Sequence, residues 1–239
     1  MNPDEAAAAF REFVAVIKAL RTPGTGCPWD LEQDHRTLRN YLLEEAHETL
    51  EAIDCGDDAA LREELGDVLL QVVLHAQVAA DRSSFAIADV VRGITEKMVR
   101  RHPHVFAATP VSGSAEVLRN WEQIKAAERA ARGETAEKDP LDGIPDGLPA
   151  LIRAQRLGAR AAKQAQPAVG DVLGSVRHDF ERLDAAVRAG SGGPDLDQRL
   201  GDLLFGLCQL ARRLGVDAEA SLRGANRRFA ASPTSSSPP

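Results

Sequence analysis

Between Leu65 and Ala80 the chain carries a single formal charge, Asp67, in a stretch that is apolar nearly all round a helical turn. A helix of that character is normally buried, and a carboxylate within it must be paired or bound to a cation. Glu64 precedes Asp67 by three residues and shares its face, so the two acids cannot neutralise each other. The helical segment before it repeats the spacing in Glu45-Ala-His-Glu48. Packed antiparallel, two such helices point four carboxylates into one pocket, where mutual repulsion would raise their pKa values or splay them unless a cation sits among them. Hard oxygen ligands in that number suit Mg²⁺, with Mn²⁺ as a substitute, rather than zinc. Glu45, Glu48, Glu64 and Asp67 are therefore the expected metal ligands, with Glu44, Glu51 and Glu63 nearby. Two plainer readings compete: Glu45 and Glu48 as a solvated helix face, and neutralisation of Glu64 and Asp67 by Arg62 or a distant arginine.

Composition bounds the rest. Hydrophobic residues make up 44% of 239, enough for a buried core, while aromatics are only 4%. Abundant Ala, Leu, Glu and Arg favour helix over strand, so the expected class is all-α. A net charge of -7 argues against a nucleic-acid partner, which normally calls for a basic surplus. Cys27, Cys55 and Cys208 are widely spaced and form no CxxC pair, which fits a reducing cytoplasm. Gln71, His75 and Gln77 interrupt the most apolar stretch, so neither a signal peptide nor a membrane span is expected.

Periodicity and breakers predict helices over 4–20, 38–53, 59–80, 86–101, 114–132, 150–165, 172–189, 196–214 and 217–230. Phe10, Phe13, Val14, Ile17 and Leu20 form the apolar face of the first. Thr22–Asp30 is a loop by its Pro and Gly content, and Pro103 should end the helix before it. The expected organisation is a first domain over 1–132, a linker over 133–149, a second domain over 150–231 and a disordered tail over 232–239.

The second domain echoes the first. Leu200-Gly-Asp-Leu-Leu-Phe205 repeats Leu65-Gly-Asp-Val-Leu-Leu70. Aligning the glycines puts Arg199 where Glu64 stands. The stripe Val172, Val176, Phe180, Leu183, Val187 then puts Asp179 and Arg182 at the places of Glu45 and Glu48, or, with a shifted loop, Glu181 and Asp184. In either register Arg199 brings a fixed positive charge into the equivalent pocket.

The runs Gly26-Cys-Pro-Trp-Asp30, Tyr41-Leu-Leu-Glu-Glu-Ala46 and Glu63-Glu-Leu-Gly-Asp-Val-Leu-Leu-Gln71 resemble the MazG family of nucleoside triphosphate pyrophosphohydrolases. So do Arg101-His-Pro-His-Val-Phe106, Asn120-Trp-Glu-Gln-Ile-Lys125, Leu141-Asp-Gly-Ile-Pro145 and Leu214-Gly-Val-Asp217 with Ala225, Asn226 and Phe229. The resemblance runs in order through almost the whole chain. It implies tandem helical domains, a four-helix bundle formed on homodimerisation, and Mg²⁺-dependent cleavage of NTPs to NMP and pyrophosphate. It carries the family's metal signature onto Glu45, Glu48, Glu64 and Asp67. Two-domain members generally keep acidic signatures in both halves, and in some the C-terminal one performs catalysis. Here the second signature is eroded, which assigns activity to the first half. Lys163-Gln-Ala-Gln-Pro167 also departs from the family's aromatic-containing pattern.

For such chemistry, Glu44 and Glu48 are the candidate general bases. Lys97, Arg100 and Arg101 lie near one helix end, followed by His102 and His104, and could contact phosphate; the plainer reading is a basic turn complementing the helix dipole. Lys125, four residues after Trp121, could do the same or be ordinary surface. Trp29 and Trp121 are candidates to stack on the base; Trp29, in a Pro/Gly loop ahead of the metal helix, suits that contact better, and Trp121 reads more readily as a packing anchor. His35 and His47 show no partner at ligand spacing. The expected role is removal of abnormal or surplus nucleotides, or lowering of nucleotide pools under stress. The rivals are a pyrophosphatase narrow for dUTP or a phosphoribosyl nucleotide, and a nucleotide sensor without turnover.

Overall fold

A computed structural model describes residues 2–107, 109–131, 133, 143–162, 167–190 and 192–231. All regular structure among these residues is helical. The chain divides into two compact units, Met1–Glu128 and Arg129–Pro239. Most of the expected linker and all of the expected tail lie outside the described residues, as does 163–166.

In the first unit, α1 (Pro3–Leu20) starts on Asn2, whose side-chain oxygen accepts the Asp4 and Glu5 amides at 3.1 and 3.4 Å. Such a cap contributes about 1 kcal/mol. Its apolar face buries Ile17 against Leu38, Val73, Leu74 and Val78, with Phe10, Phe13, Val14 and Leu20 around them. Each large apolar side chain buried in that way contributes roughly 1.5–3 kcal/mol.

The hairpin of α3 (Arg39–Cys55) and α4 (Asp58–Asp81) is set by two residues of opposite function. Gly56, at φ 69°, ends α3 in the left-handed conformation that glycine adopts without strain. Asp57 then caps α4 by accepting the Ala59 and Ala60 amides at 2.9 and 3.1 Å. So short a link leaves antiparallel packing as the only arrangement, which aligns the two acidic pairs.

Only part of α4 is buried. Gln71, Val73, Leu74, Ala76, Val78 and Ala79 are inside, while Leu65, Leu69 and Val72 form an exposed stripe at helical spacing. The helix that reads as buried all round is thus covered, among the described residues, on one face only.

Two short helices fall where the sequence reads as loop or terminator: α2 (Pro28–Glu32) and α6 (Pro103–Phe106). Each begins with proline at its first turn, where the missing amide costs nothing. The unit is completed by α5 (Ile87–Arg101) and α7 (Ser114–Ala131), the last turn of which crosses the unit boundary.

In the second unit, α8 (Ala150–Ala161), α9 (Val169–Arg188), α10 (Pro194–Arg213) and α11 (Ala218–Ala231) pack around Val172, Val176, Leu203 and Cys208. A Cβ on Gly158 of α8 would collide with the Gln209 side chain, whose Nε2 donates to the Ala154 carbonyl at 2.8 Å. The bare backbone of α8 at Gly158 therefore makes room for the Gln209 side chain of α10.

Candidate metal centre and its surroundings

Antiparallel packing of α3 and α4 gathers Glu45, Glu48 and Glu64, each offering a carboxylate oxygen within 4.8 Å of the others. Asp67, one turn on from Glu64, lies close enough for its charge to act on both Glu45 and Glu64. Burial first, then the neighbouring carboxylates Asp67, Glu48 and Glu64, push the Glu45 carboxyl above its ordinary value; a hydrogen bond from Gln71 opposes them. Glu64 is pushed up by partial desolvation and by Glu48, Asp67 and Glu63. Glu44 is exposed on α3 and stands outside the trio.

No Lys or Arg forms an ion pair with these four acids among the described residues, Arg62 included. Oxygen-only donors, high negative charge and raised carboxyl pKa values fit a hard divalent cation. Sequence reasoning passed over Gln71. Its signal was a polar residue four and seven positions beyond Asp67 and Glu64, inside an apolar helix.

On the amino-terminal side of the acids, Trp29 meets Tyr41 edge-on with ring centroids 5.8 Å apart. Tyr41 lies one turn before Glu45 on α3. The segment carrying Trp29 is anchored by buried Arg21, which donates to the Asp30 carbonyl, to the Gln33 carbonyl at 3.1 Å and to Asp81 Oδ2 at 2.8 Å.

Lys97, Arg100, Arg101, His104, Trp121 and Lys125 fall in or beside a second cluster, on α5, α6 and α7. Arg100 and Arg101 both reach Glu128, at 2.7 and 2.6 Å. His102 lies between His104 and Trp121, at 5.6 and 5.1 Å between ring centroids. Lys125 Nζ lies 5.3 Å from the centre of the Trp121 ring, and exposed Lys97 stands one turn before Arg101. His104 Nδ1 and Trp121 Nε1 are buried without a hydrogen-bond partner. Among the described residues no hydrogen bond or ion pair joins this cluster to the four acids.

His35 does have a close partner, which its sequence spacing concealed. The His75 ring stacks on it, Nδ1 to Nδ1 at 2.9 Å, from 40 positions away. His47 is exposed on α3.

A sequence profile for the MazG nucleotide pyrophosphohydrolase domain matches residues 33–106, which span the acidic hairpin and α5. A nucleoside triphosphate pyrophosphohydrolase of Escherichia coli is 42% identical over 220 residues, 91% of this chain and 82% of the relative. The nucleoside triphosphate pyrophosphohydrolase/pyrophosphatase MazG of Thermotoga maritima is 40% identical over 230 residues, covering 94% and 84%. A nucleoside triphosphate pyrophosphohydrolase of Mycolicibacterium smegmatis is 38% identical over 212 residues, covering 79% and 63%.

Proposed function

The chain belongs to the MazG family, and from that premise we propose that it hydrolyses nucleoside triphosphates to the monophosphate and pyrophosphate with Mg²⁺ at the α3/α4 hairpin. The observation that carries this is the trio Glu45, Glu48, Glu64, converging from two helices with no ion-paired Lys or Arg among the described residues to offset it. Glu45, Glu48, Glu64 and Asp67 would hold the ion, with Mn²⁺ as a substitute. When bound, such an ion supplies charge neutralisation along the triphosphate and lowers the pKa of bound water.

The chain's own groups do the rest. Glu48 or Glu44 takes the proton of the water that attacks the α-phosphorus. The bond to the bridging oxygen breaks, and that oxygen departs with pyrophosphate. Lys97, Arg100, Arg101, His104 and Lys125 hold phosphate oxygens, and Trp29 or Trp121 offers a ring face to the base. The exposed stripe Leu65, Leu69, Val72 is the seam along which a second copy completes a four-helix bundle. The eroded second unit serves packing and not catalysis. We read the role as clearance of abnormal or surplus nucleotides in the cytoplasm.

The test is release of pyrophosphate and NMP from a panel of ribo- and deoxynucleotides with Mg²⁺, for wild type and Glu64→Gln. Release abolished by the substitution supports the reading. Turnover that survives it moves the site elsewhere, and nucleotide binding without turnover favours a sensor. A single productive substrate such as dUTP would favour the narrow pyrophosphatase.

A further inference from the structure

Arg100 and Arg101 are consecutive residues, so on a helix their side chains leave the axis about 100° apart. Both nevertheless reach one carboxylate. Arg101 donates to Glu128 from Nε, at 3.3 and 3.2 Å to the two oxygens, and from Nη2 at 2.6 Å; Arg100 donates from Nε at 2.7 Å. A carboxylate between two guanidinium groups is what allows two cations to stand side by side without repelling.

The arrangement is layered. The Glu128 side chain is 11% exposed and Arg101 20%, while Arg100 is 53% exposed. Arg100 Nη1 and Nη2 and Arg101 Nη1 have no hydrogen-bond partner among the described residues. The carboxylate is thus the most shielded of the three groups, and the guanidinium N–H groups it leaves unused are the donors an anion can take. The same contact fastens α5, with Lys97, to α7, with Trp121 and Lys125, and His102 packed edge-on to Trp121 lies at the same junction.

We propose that Glu128 is the positioning residue of the triphosphate subsite, holding Arg100 and Arg101 at a fixed spacing with donor edges outward and tying them to α7. This rests on the hydrolase reading above, and it differs from a placeholder carboxylate that phosphate must displace. Glu128 touches no reacting atom; it acts through the arginines. Its loss should weaken ground-state binding more than turnover.

The experiment compares wild type, Glu128→Gln and Glu128→Asp. It measures pyrophosphate release with Mg²⁺ and, separately, calorimetric binding of inorganic tripolyphosphate. Loss of the charge-assisted hydrogen bonds predicts that Glu128→Gln raises KM and the tripolyphosphate Kd about tenfold or more. Its kcat should fall less, and Glu128→Asp should restore most of the affinity. Arg101→Lys, which keeps charge but loses the fork, should match Glu128→Gln and stands in for it should that variant fail to fold. Unchanged KM and Kd in Glu128→Gln or Arg101→Lys would leave Glu128 a structural strut and overturn the proposal. Tighter binding would make it a placeholder and overturn it equally. Wild type that binds tripolyphosphate without turning over any nucleotide would sink the hydrolase reading, and the binding arm would then judge Glu128. Wild type that binds no tripolyphosphate would overturn the subsite.

Discussion

Asp179 on α9 faces Gly206 on α10, its Oδ2 lying 3.5 Å from where a Cβ on that glycine would stand. Gly206 follows Gly201 by five residues, as Gln71 follows Gly66, and Gln71 is the residue that hydrogen bonds Glu45. That contact fits one of the two registers open in the sequence, the one with Asp179 for Glu45, Arg182 for Glu48, Arg199 for Glu64 and Asp202 for Asp67. Arg199 pairs with Asp195 at 2.9 Å and feels Asp202, and Arg182 lies near enough to Asp195 to lower its pKa. The second hairpin carries its own cations. Arg182→Glu with Arg199→Glu is expected to create a second class of Mn²⁺ site, counted by electron paramagnetic resonance. A stoichiometry unchanged from wild type would sink the register.

At the first hairpin, Glu64→Gln should cut pyrophosphate release about a hundredfold or more and weaken Mn²⁺ binding, since one ligand is lost from a small set. The same change relieves repulsion in the metal-free protein, so its melting temperature in EDTA should hold or rise. A clear fall there would show that Glu64 is a structural acid.

Leu69→Glu sets a charge in the middle of the exposed α4 stripe. Sedimentation should show a homodimer for wild type, with the dissociation constant raised about tenfold or more in the variant. A wild-type monomer would remove the stripe's assigned purpose.

Glu128 is held down to a pKa of about 2, from 4.5, by the hydrogen bonds of Arg101 and then Arg100. A depressed acid contributes stability that is present above the unfolded value and lost as pH falls from 4.5 toward about 2. The melting difference between wild type and Glu128→Gln should therefore be full at neutral pH and shrink across that window. Trp121 fluorescence is the local probe.

His75 is pushed below its ordinary 6.5, first by burial and then by His35. Here the unfolded chain takes a proton that the folded ring resists, so stability falls as pH drops below 6.5. His75→Gln should flatten that limb of a denaturation series. An identical slope in both proteins would count against the pair.

The long helices were legible because each repeats its apolar stripe over several turns and the glycines and aspartates between them punctuate clearly. The acidic trio was legible because one charge in an apolar helix has few stable outcomes. Helices α2 and α6 were not, being a single turn inside Pro-rich segments, though Pro28 and Pro103 at their starts are the signal. The contacts of Glu128 with Arg101 and of His35 with His75 join residues 27 and 40 positions apart. No local pattern reports such pairings. The exposed face of α4 was hidden for another reason: periodicity tells that a face is apolar, not which molecule covers it.

Buried Arg21 is bonded at once to the carbonyls of Asp30 and Gln33 and to Asp81 at the far end of α4. A loop of that composition would ordinarily open by itself many times for each unfolding of the whole. Bolted to the helix beneath α1, the segment from Cys27 to Gln33 has no such private motion, and its slowest amide protons should exchange with solvent only when the core comes apart. On that expectation Trp29 is an exposed side chain, 48% accessible, on a backbone tied to the protein's interior through Arg21.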